Sequence, residues 1–577
     1  MRTFNIKIGG EAGQGLVSVG NILLRAIAEE GWYLFAHQDY ESRIRGGHNF
    51  FQIRVADKPI YTWDNRIDLL VALDKTTVTR WGHELSESGA VIYDPEVLGS
   101  EAEELESLEN FIPISFETIV QDLGQPKVMA NAVAAGAIWA FLSDDLTVLH
   151  QTLAEMFISR GKDVVEGNCR VSEAGFQAIK KIIGNRSKPA KPNSDVGERL
   201  LLKGNDALSL GALAAGLKFM SAYPMTPATG VTEFVAHYGR QCSVVMEQAE
   251  DEISAINMAI GAGFTGVRAM TATSGGGFAL MTEALSLAGS AEVPVVVINA
   301  QRPGPSTGLP TRTEQGDLSF VVATSFGDFP KAVFAPGDLE EAFYLMGHAF
   351  NLAERYQMPV IVLSDQHLAD SYSTTKPFSL GRVKIDRGLV VSGEEAGDDY
   401  LRYKFTENGI SPRLYPGFGE GVVVSAGDEH DEKGHLIEDG ETRAKMMEKR
   451  MAKMKLVEQE TLEPVVYGEE EPEAVLIGFG STKGAIEETV EILRQRGCKA
   501  QAVHLPQVYP LPASLGKILH GSGKKFIVES NYTGQLESLI GSVFAWKPDG
   551  SIRRYDGRPM NPQYILDKLE GGVCLGQ

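Results

Sequence analysis

Apolar and polar positions alternate through residues 3–8 and run into Gly9-Gly-Glu-Ala-Gly-Gln-Gly15, so a strand is expected to enter a glycine loop. Apolar positions at helical spacing follow over residues 16–31, and further strands are expected at 50–55, 68–74 and 90–94, which together make an α/β domain of residues 1–185. Residues 132–142 are small and apolar on every side, as in a buried helix, and too few to cross a bilayer. Residues 186–200, rich in proline, serine and charge, read as a linker. A second domain, 201–377, carries the apolar run Pro294-Val-Val-Val-Ile-Asn299 as a buried strand and 253–263 as a buried small-residue helix. Residues 378–468 are charged and poor in strand signal. They end in a helix over 441–460 whose methionines 446, 447, 451 and 454 suit packing. Strands at 474–479, 501–505 and 524–529 give a third α/β domain, 469–577.

Composition narrows the function classes. The 577 residues are 43% hydrophobic, ample for several cores, and carry a formal charge of −22, which disfavours nucleic acid and anionic membranes as partners. The start has no charged region followed by an apolar one, so no secretion signal is expected. Cys169, Cys242, Cys498 and Cys574 are scattered without a Cys-x-x-Cys pair, which argues against a cluster or zinc site built from this chain and fits four thiols in a reducing cytoplasm.

Four segments carry candidate chemistry, and each falls where a strand is expected to end, the ligand-binding edge of an open α/β sheet. Tyr223-Pro-Met-Thr-Pro227 fixes φ at two prolines and so holds the Thr226 hydroxyl in one orientation. Glu247, Glu250 and Glu252 are expected to open the buried helix. A helix dipole suits carboxylates there, yet one carried into a buried setting needs a partner or a task. Thr271-Ala-Thr-Ser-Gly-Gly-Gly277 is a small-residue turn, and residues 303–317 form a Gly/Pro/Ser/Thr loop with Arg302 and Arg312 as its cations. An arginine fork in such a loop suits a carboxylate, although a solvated arginine reads the same in sequence.

Outside this stretch, Gly9–Gly15 could bring backbone amides to an anion, or serve as a plain turn, and its spacing is not that of a dinucleotide loop. Tyr40-Glu-Ser-Arg-Ile-Arg-Gly-Gly-His-Asn49 places two arginines and a histidine beside paired glycines. Asp428-Glu-His-Asp-Glu-Lys-Gly-His435 looks like a set of metal ligands, but acidic loops are ordinarily solvated and no metal is expected. Gly521-Ser-Gly-Lys-Lys525 lacks the spacing of a phosphate loop.

Taken together these segments resemble the 2-oxoacid:ferredoxin oxidoreductases, in the form of an alpha chain with the gamma domain fused at its N-terminus. Gly9–Gly15 with Arg45-Gly-Gly47 is similar to the gamma signature, Tyr223–Pro227 to the family's Tyr-Pro-Ile-Thr-Pro with methionine for isoleucine, and residues 303–317 to its substrate loop. Gly409-Ile-Ser-Pro-Arg413 and residues 428–434 are most similar to the 2-oxoglutarate type. The resemblance implies an α/β chain whose pyrimidine-binding thiamine domain is flanked by a gamma-type domain and a transketolase-C-like domain. It implies CoA-dependent oxidative decarboxylation of a 2-oxoacid, 2-oxoglutarate first, with ferredoxin as acceptor. Thiamine diphosphate would contact Tyr223, Pro224, Thr226, Glu250, Glu252, Thr273, Ser274 and Gly275. Glu252, with Glu250 as runner-up, would meet the aminopyrimidine, Thr226 would contact cofactor and substrate, and Arg312 would grip the substrate carboxylate. Ser306, Thr307, Gly10, Gly13, Gln14, Gly15, Arg43, Arg45 and His48 are further candidates for substrate or coenzyme A.

The chain has no Gly-Asp-Gly to hold magnesium and no cysteine cluster, so a beta subunit carrying Mg²⁺ and a [4Fe-4S] cluster is implied, in a dimer of alpha–beta heterodimers. Other 2-oxoacids (pyruvate, branched-chain acids or indolepyruvate), a non-catalytic scaffold chain and a nucleotide-binding dehydrogenase are the competing readings.

Overall fold

A computed structural model describes residues 3–42, 46–98, 110–183, 189 and 197–569. Arg43 and Arg45, most of the expected linker and Cys574 lie outside the described residues. Contacts divide the chain into two compact units, residues 1–202 with 371–377, and residues 203–370 with 378–577.

Among the described residues the first unit holds an eight-stranded mixed sheet in the order β6-β5-β4-β1-β3-β2-β14-β7. The strands are β1 (Thr3–Ala12), β2 (Tyr33–Asp39), β3 (Gly46–Ala56), β4 (Ile67–Ala72), β5 (Leu85–Tyr93), β6 (Phe111–Pro113), β7 (Leu200–Lys203) and β14 (Tyr372–Thr375). β1, β4, β5 and β6 run parallel, while β3 pairs antiparallel to both β1 and β2. The expected buried helix is Ala130–Leu142, with every residue from Ala132 to Leu142 buried. It packs against the helix Lys162–Ile183 so closely that a Cβ on Gly136 would stand 1.9 Å from the Ser172 carbonyl oxygen, and one on Gly175 2.3 Å from that of Val133.

The second unit contains a seven-stranded sheet, β18-β12-β13-β11-β10-β8-β9, and a five-stranded sheet, β15-β17-β16-β19-β20. The first is formed by β8 (Phe219–Ala222), β9 (Val245–Gln248), β10 (Ala269–Thr273), β11 (Val295–Gln301), β12 (Ala332–Phe334), β13 (Pro359–Asp365) and β18 (Gln507–Tyr509). All are parallel except β18, which the C-terminal stretch adds antiparallel to β12. Residues Val295–Gln301 and Pro359–Asp365 are buried throughout, the continuous apolar run of a strand covered on both faces. The second sheet is β15 (Val465–Gly468), β16 (Ala474–Phe479), β17 (Ala500–Leu505), β19 (Lys524–Glu529) and β20 (Gly550–Arg553). One apolar core, from Ile256 and Val297 to Ile477 and Leu536, runs through both sheets of this unit.

Residues 378–468 make few strands and are fastened by buried charge instead. The Glu354 carboxylate takes Arg268 at 3.0 Å, Arg387 at 2.9 Å and Arg413 at 3.2 Å. Arg413 ends the motif that the sequence singled out. Glu292, wholly buried, pairs with both Lys449 and Lys453 of the helix Gly440–Gln459. In the acidic loop 428–435, Glu429 pairs with Arg450, the His430 ring lies tilted against Tyr403 at 3.8 Å between ring centres, and Asp431 accepts the amides of Lys433 and His435. No group of three or more metal-ligating side chains occurs among the described residues.

Gly521-Ser-Gly523 is no anion loop either, because its three carbonyl oxygens accept hydrogen bonds from Lys525 Nζ at 2.5–2.7 Å. Cys498 is disulfide-bonded, against the expectation of four thiols, while Cys169 and Cys242 are free. No helix among the described residues is long and apolar enough to cross a membrane.

Candidate active site

The four segments meet. Tyr223–Pro227 leaves β8, Glu250 and Glu252 follow β9, Ser274 and Gly275 follow β10, and Arg302 follows β11. These strands are consecutive and parallel in the order β9-β8-β10-β11, so their C-terminal ends bring the loops to one edge. A cavity of about 610 Å³ opens there, lined by Met225, Glu252, Gly275, Gly276, Arg302, Ser306, Thr307 and Asp317, with apolar walls from Ala279, Leu280 and Phe320.

Glu252 is the first residue of the helix Glu252–Phe264, whose N-cap Asp251 accepts the Ser254 amide at 2.7 Å. Its side chain is buried against Gly277, where a Cβ would come within 2.5 Å of Glu252 Cγ and 2.1 Å of Thr273 Oγ1. Glu250, by contrast, is exposed on the loop between β9 and that helix. Thr273 and Ser274 are fully buried; Thr273 Oγ1 lies 3.7 Å from the Met225 sulfur, and Ser274 Oγ has no hydrogen-bond partner. Tyr223 and Pro224 are exposed.

Arg302 is the arginine that faces the cavity. Its Nη1 donates to the Thr226 carbonyl oxygen at 2.8 Å, so Thr226 meets the cavity arginine through its backbone. Burial lowers the guanidinium pKa, and the nearby Asp317 and Glu252 carboxylates oppose that shift. Asp317 Oδ2 accepts from Asn299 Nδ2 at 3.1 Å, its amide donates to Gln301 Oε1 at 3.0 Å, and burial raises its carboxyl pKa. Three residues earlier, Glu314 is pushed up to about 7 by burial and by the Asp317 charge. Arg312, the sequence's choice, is not among the residues lining the cavity. It packs beside Gly557, whose would-be Cβ stands 3.2 Å from Arg312 Cβ, and the Thr313 amide donates to the Gly557 carbonyl. Arg302 and Asp317 were visible in the sequence as the two ends of the loop, but carried no assigned role. Position at the end of a buried strand is the signal that could have marked Arg302.

In the first unit, Gly15 begins the helix Leu16–Glu29 at φ 82°, and Gly13 has φ 96°. Two loop groups are already engaged, the Glu11 amide with Gln14 Oε1 at 2.8 Å and the Gln14 amide with the Glu11 carbonyl at 3.2 Å. Gly10 pairs with Asn49, which sets the loop beside His48. His48 is buried, its Nε2 accepting from Trp81 Nε1 at 2.8 Å and its Nδ1 lying 3.5 Å from Asp74 Oδ2. The ring is buried within the fold, and of the loop glycines Gly13 is exposed, with nothing within 4 Å of where its Cβ would stand.

Two family models match the chain. Residues 210–449 match "Pyruvate flavodoxin/ferredoxin oxidoreductase, thiamine diP-bdg", and residues 5–178 match "Pyruvate ferredoxin/flavodoxin oxidoreductase". The 2-oxoacid:ferredoxin oxidoreductase subunit alpha of Saccharolobus solfataricus is 34% identical, covering 99% of this chain and 98% of its own. The 2-oxoglutarate oxidoreductase subunit KorA of Mycobacterium tuberculosis is 28% identical over 93% of this chain and 86% of its own. The solved 2-oxoglutarate:ferredoxin oxidoreductase from Magnetococcus marinus, with 2-oxoglutarate, coenzyme A and succinyl-CoA bound, superposes with a TM-score of 0.92 at 31% identity, covering 99% of each chain.

Proposed function

This chain belongs to the 2-oxoacid:ferredoxin oxidoreductases as an alpha subunit, and from that premise we propose that, with a beta subunit, it catalyses CoA-dependent oxidative decarboxylation of 2-oxoglutarate. Succinyl-CoA and CO₂ are the products, and two electrons pass singly to ferredoxin. The observation that carries this reading is the convergence of four strand-end loops on one cavity with an arginine in its wall. The substrate assignment is supported by the whole-chain likeness to a protein solved with 2-oxoglutarate bound.

The residues present suit thiamine diphosphate. Gly275 and Gly276 line the cavity without side chains of their own, and beside them the Ser274 hydroxyl is buried without a partner. Bound there, the cofactor would supply the carbon nucleophile that attacks the 2-oxo carbonyl. Tyr223, Pro224, Thr226, Thr273, Ser274 and Gly275 would shape its pyrimidine side. The diphosphate, its Mg²⁺ and the [4Fe-4S] cluster belong to the beta subunit in this proposal, so the pyrimidine lies on a surface that the partner covers.

That placement divides the two glutamates. Glu252 is enclosed in the cavity wall that also holds Arg302. Glu250 stands exposed on the loop beside it, where a shared cofactor can be reached, so Glu250 holds the aminopyrimidine proton and Glu252 holds Arg302. Arg302, rather than Arg312, binds the substrate C1 carboxylate through a charge-assisted fork. Ser306 and Thr307, exposed in the cavity wall, face the remainder of the acid. The loop Gly10, Gly13, Gln14 and Gly15 is assigned to coenzyme A, with a dimer of alpha–beta heterodimers in the cytoplasm as the working assembly.

The test is the co-purified complex, assayed for viologen dye reduction across pyruvate, branched-chain acids, indolepyruvate and 2-oxoglutarate, with and without coenzyme A. Fastest, CoA-dependent reduction with 2-oxoglutarate is expected. A complex that reduces no dye with any 2-oxoacid would return the chain to the scaffold reading.

A further inference from the structure

Arg302 shares its cavity with two carboxylates, Glu252 and Asp317. With all three ionised the wall carries a net charge of −1, and a substrate carboxylate seated on the guanidinium makes it −2 in a partly enclosed space. A site meant to hold an anion has to shed one of those charges when the anion arrives.

We infer that Asp317 takes up a proton as the 2-oxoacid binds and gives it back as the site empties, so that anion binding in this cavity is coupled to one carboxyl group. The inference rests on the assignment of Arg302 to the substrate carboxylate. Three features of the structure single out Asp317. Its carboxylate lies on the cavity wall directly against Gly275, so close that a Cβ there would stand 2.5 Å from Asp317 Oδ2 and 2.8 Å from Oδ1. Its backbone is pinned by the Gln301 side chain, which is itself tied to the Ser364 carbonyl at 3.1 Å.

The third feature is Asn299. This amide is wholly buried on β11, with Nδ2 donating to Asp317 and Oδ1 without a partner. The two ends of an amide are interchangeable by a rotation of its terminal torsion. Asn299 therefore offers an N–H to the carboxylate and a carbonyl oxygen to the acid, and Asp317 keeps a hydrogen bond in both protonation states. The charged groups nearby are Arg302, which favours the ionised form of Asp317, Glu314, which repels it, and Glu252, which shares the cavity wall; burial disfavours the ionised form. Glu252 lacks the same freedom because it is packed against Gly277 and Thr273, with no amide partner of this kind.

The experiment uses the assembled complex and N-oxalylglycine, an unreactive isostere of 2-oxoglutarate. Calorimetry between pH 6.5 and 8.5, in buffers of different ionisation enthalpy, counts the protons taken up on binding. The wild-type complex is expected to take up as much as one proton per site, with Kd weakening by up to tenfold per pH unit once Asp317 is ionised in the free site. Asp317→Asn should bind without proton uptake and with a flat Kd, and should exceed wild type in affinity at the alkaline end. Glu314→Gln should keep the uptake and move its midpoint.

Proton uptake in Asp317→Asn equal to wild type overturns the inference, as does loss of binding by that variant at every pH, which would make Asp317 a fixed holder of Arg302. Should the variant fail to assemble, the wild type decides alone, since binding without uptake is also contrary. Arg302→Ala separates the underlying assignment: unchanged affinity there removes the role of Arg302, whatever Asp317 does.

Discussion

Arg302 and Arg312 lie ten positions apart in one loop, and only the first faces the cavity. Hydrogen bonds to a charged group are worth roughly 1.5–3 kcal/mol, and about 1.4 kcal/mol is a factor of ten. Arg302→Ala should therefore lower kcat/KM for the 2-oxoacid by roughly ten- to a hundredfold, with thiazolium C2 proton exchange near wild type. Arg312→Ala, set against Gly557, should change kcat/KM by less. Steady-state kinetics on the two variants checks this, and the opposite ranking would restore Arg312. For the glutamates, Glu250→Gln should cost roughly 10²–10⁴-fold in turnover, the range for a lost proton-transfer group. Glu252→Gln should act mainly on KM, through Arg302. A collapse of C2 exchange in Glu252→Gln alone would reverse the pair. Sequence spacing could name both glutamates and both arginines, because motif and composition mark such residues. It could not rank them, since the rank depends on which side chain turns inward at a strand end and which is left for a partner.

The elements that carry the site were legible for a simple reason. Runs such as Pro294-Val-Val-Val-Ile-Asn299 have no polar face, and β11 is buried along its whole length. Residues 378–468 were opaque, because buried ion pairs order them, and periodicity is blind to pairing. Glu292 with Lys449 and Lys453 shows the strength of that fastening. Glu292→Gln leaves two buried ammonium groups without their carboxylate, so thermal or denaturant unfolding should show a loss of about 3–5 kcal/mol, the cost of breaking a buried pair from one side. Glu292→Met combined with Lys449→Met and Lys453→Met should recover much of it, since apolar groups of similar size can replace a buried ionic cluster. A loss below about 1 kcal/mol in the single variant would mean that these charges are solvated.

At the scale of the whole molecule, the chain supplies a cavity and a candidate carboxylate grip within the region that matches a thiamine-diphosphate-binding model, while its sequence has neither a Gly-Asp-Gly segment nor a Cys-x-x-Cys pair. The isolated chain should accordingly bind thiamine diphosphate weakly and decarboxylate no 2-oxoacid, and substantial decarboxylation by it without metal would contradict the division of labour. Sequence motifs identified the family because they recur in a fixed order along nearly the entire length, and the 34% identity over 99% of this chain agrees with them. How the C-terminal stretch lends β18 to the central sheet was hidden, since a three-residue strand has too little periodicity to be seen. The most direct measurement on the central claim is the stoichiometry of the co-purified complex given 2-oxoglutarate, coenzyme A and a one-electron viologen acceptor, with succinyl-CoA quantified by mass spectrometry. One succinyl-CoA is expected for every two dye molecules reduced, and none without coenzyme A. Acyl-CoA formation from pyruvate or another 2-oxoacid, with 2-oxoglutarate left unconsumed, would contradict it.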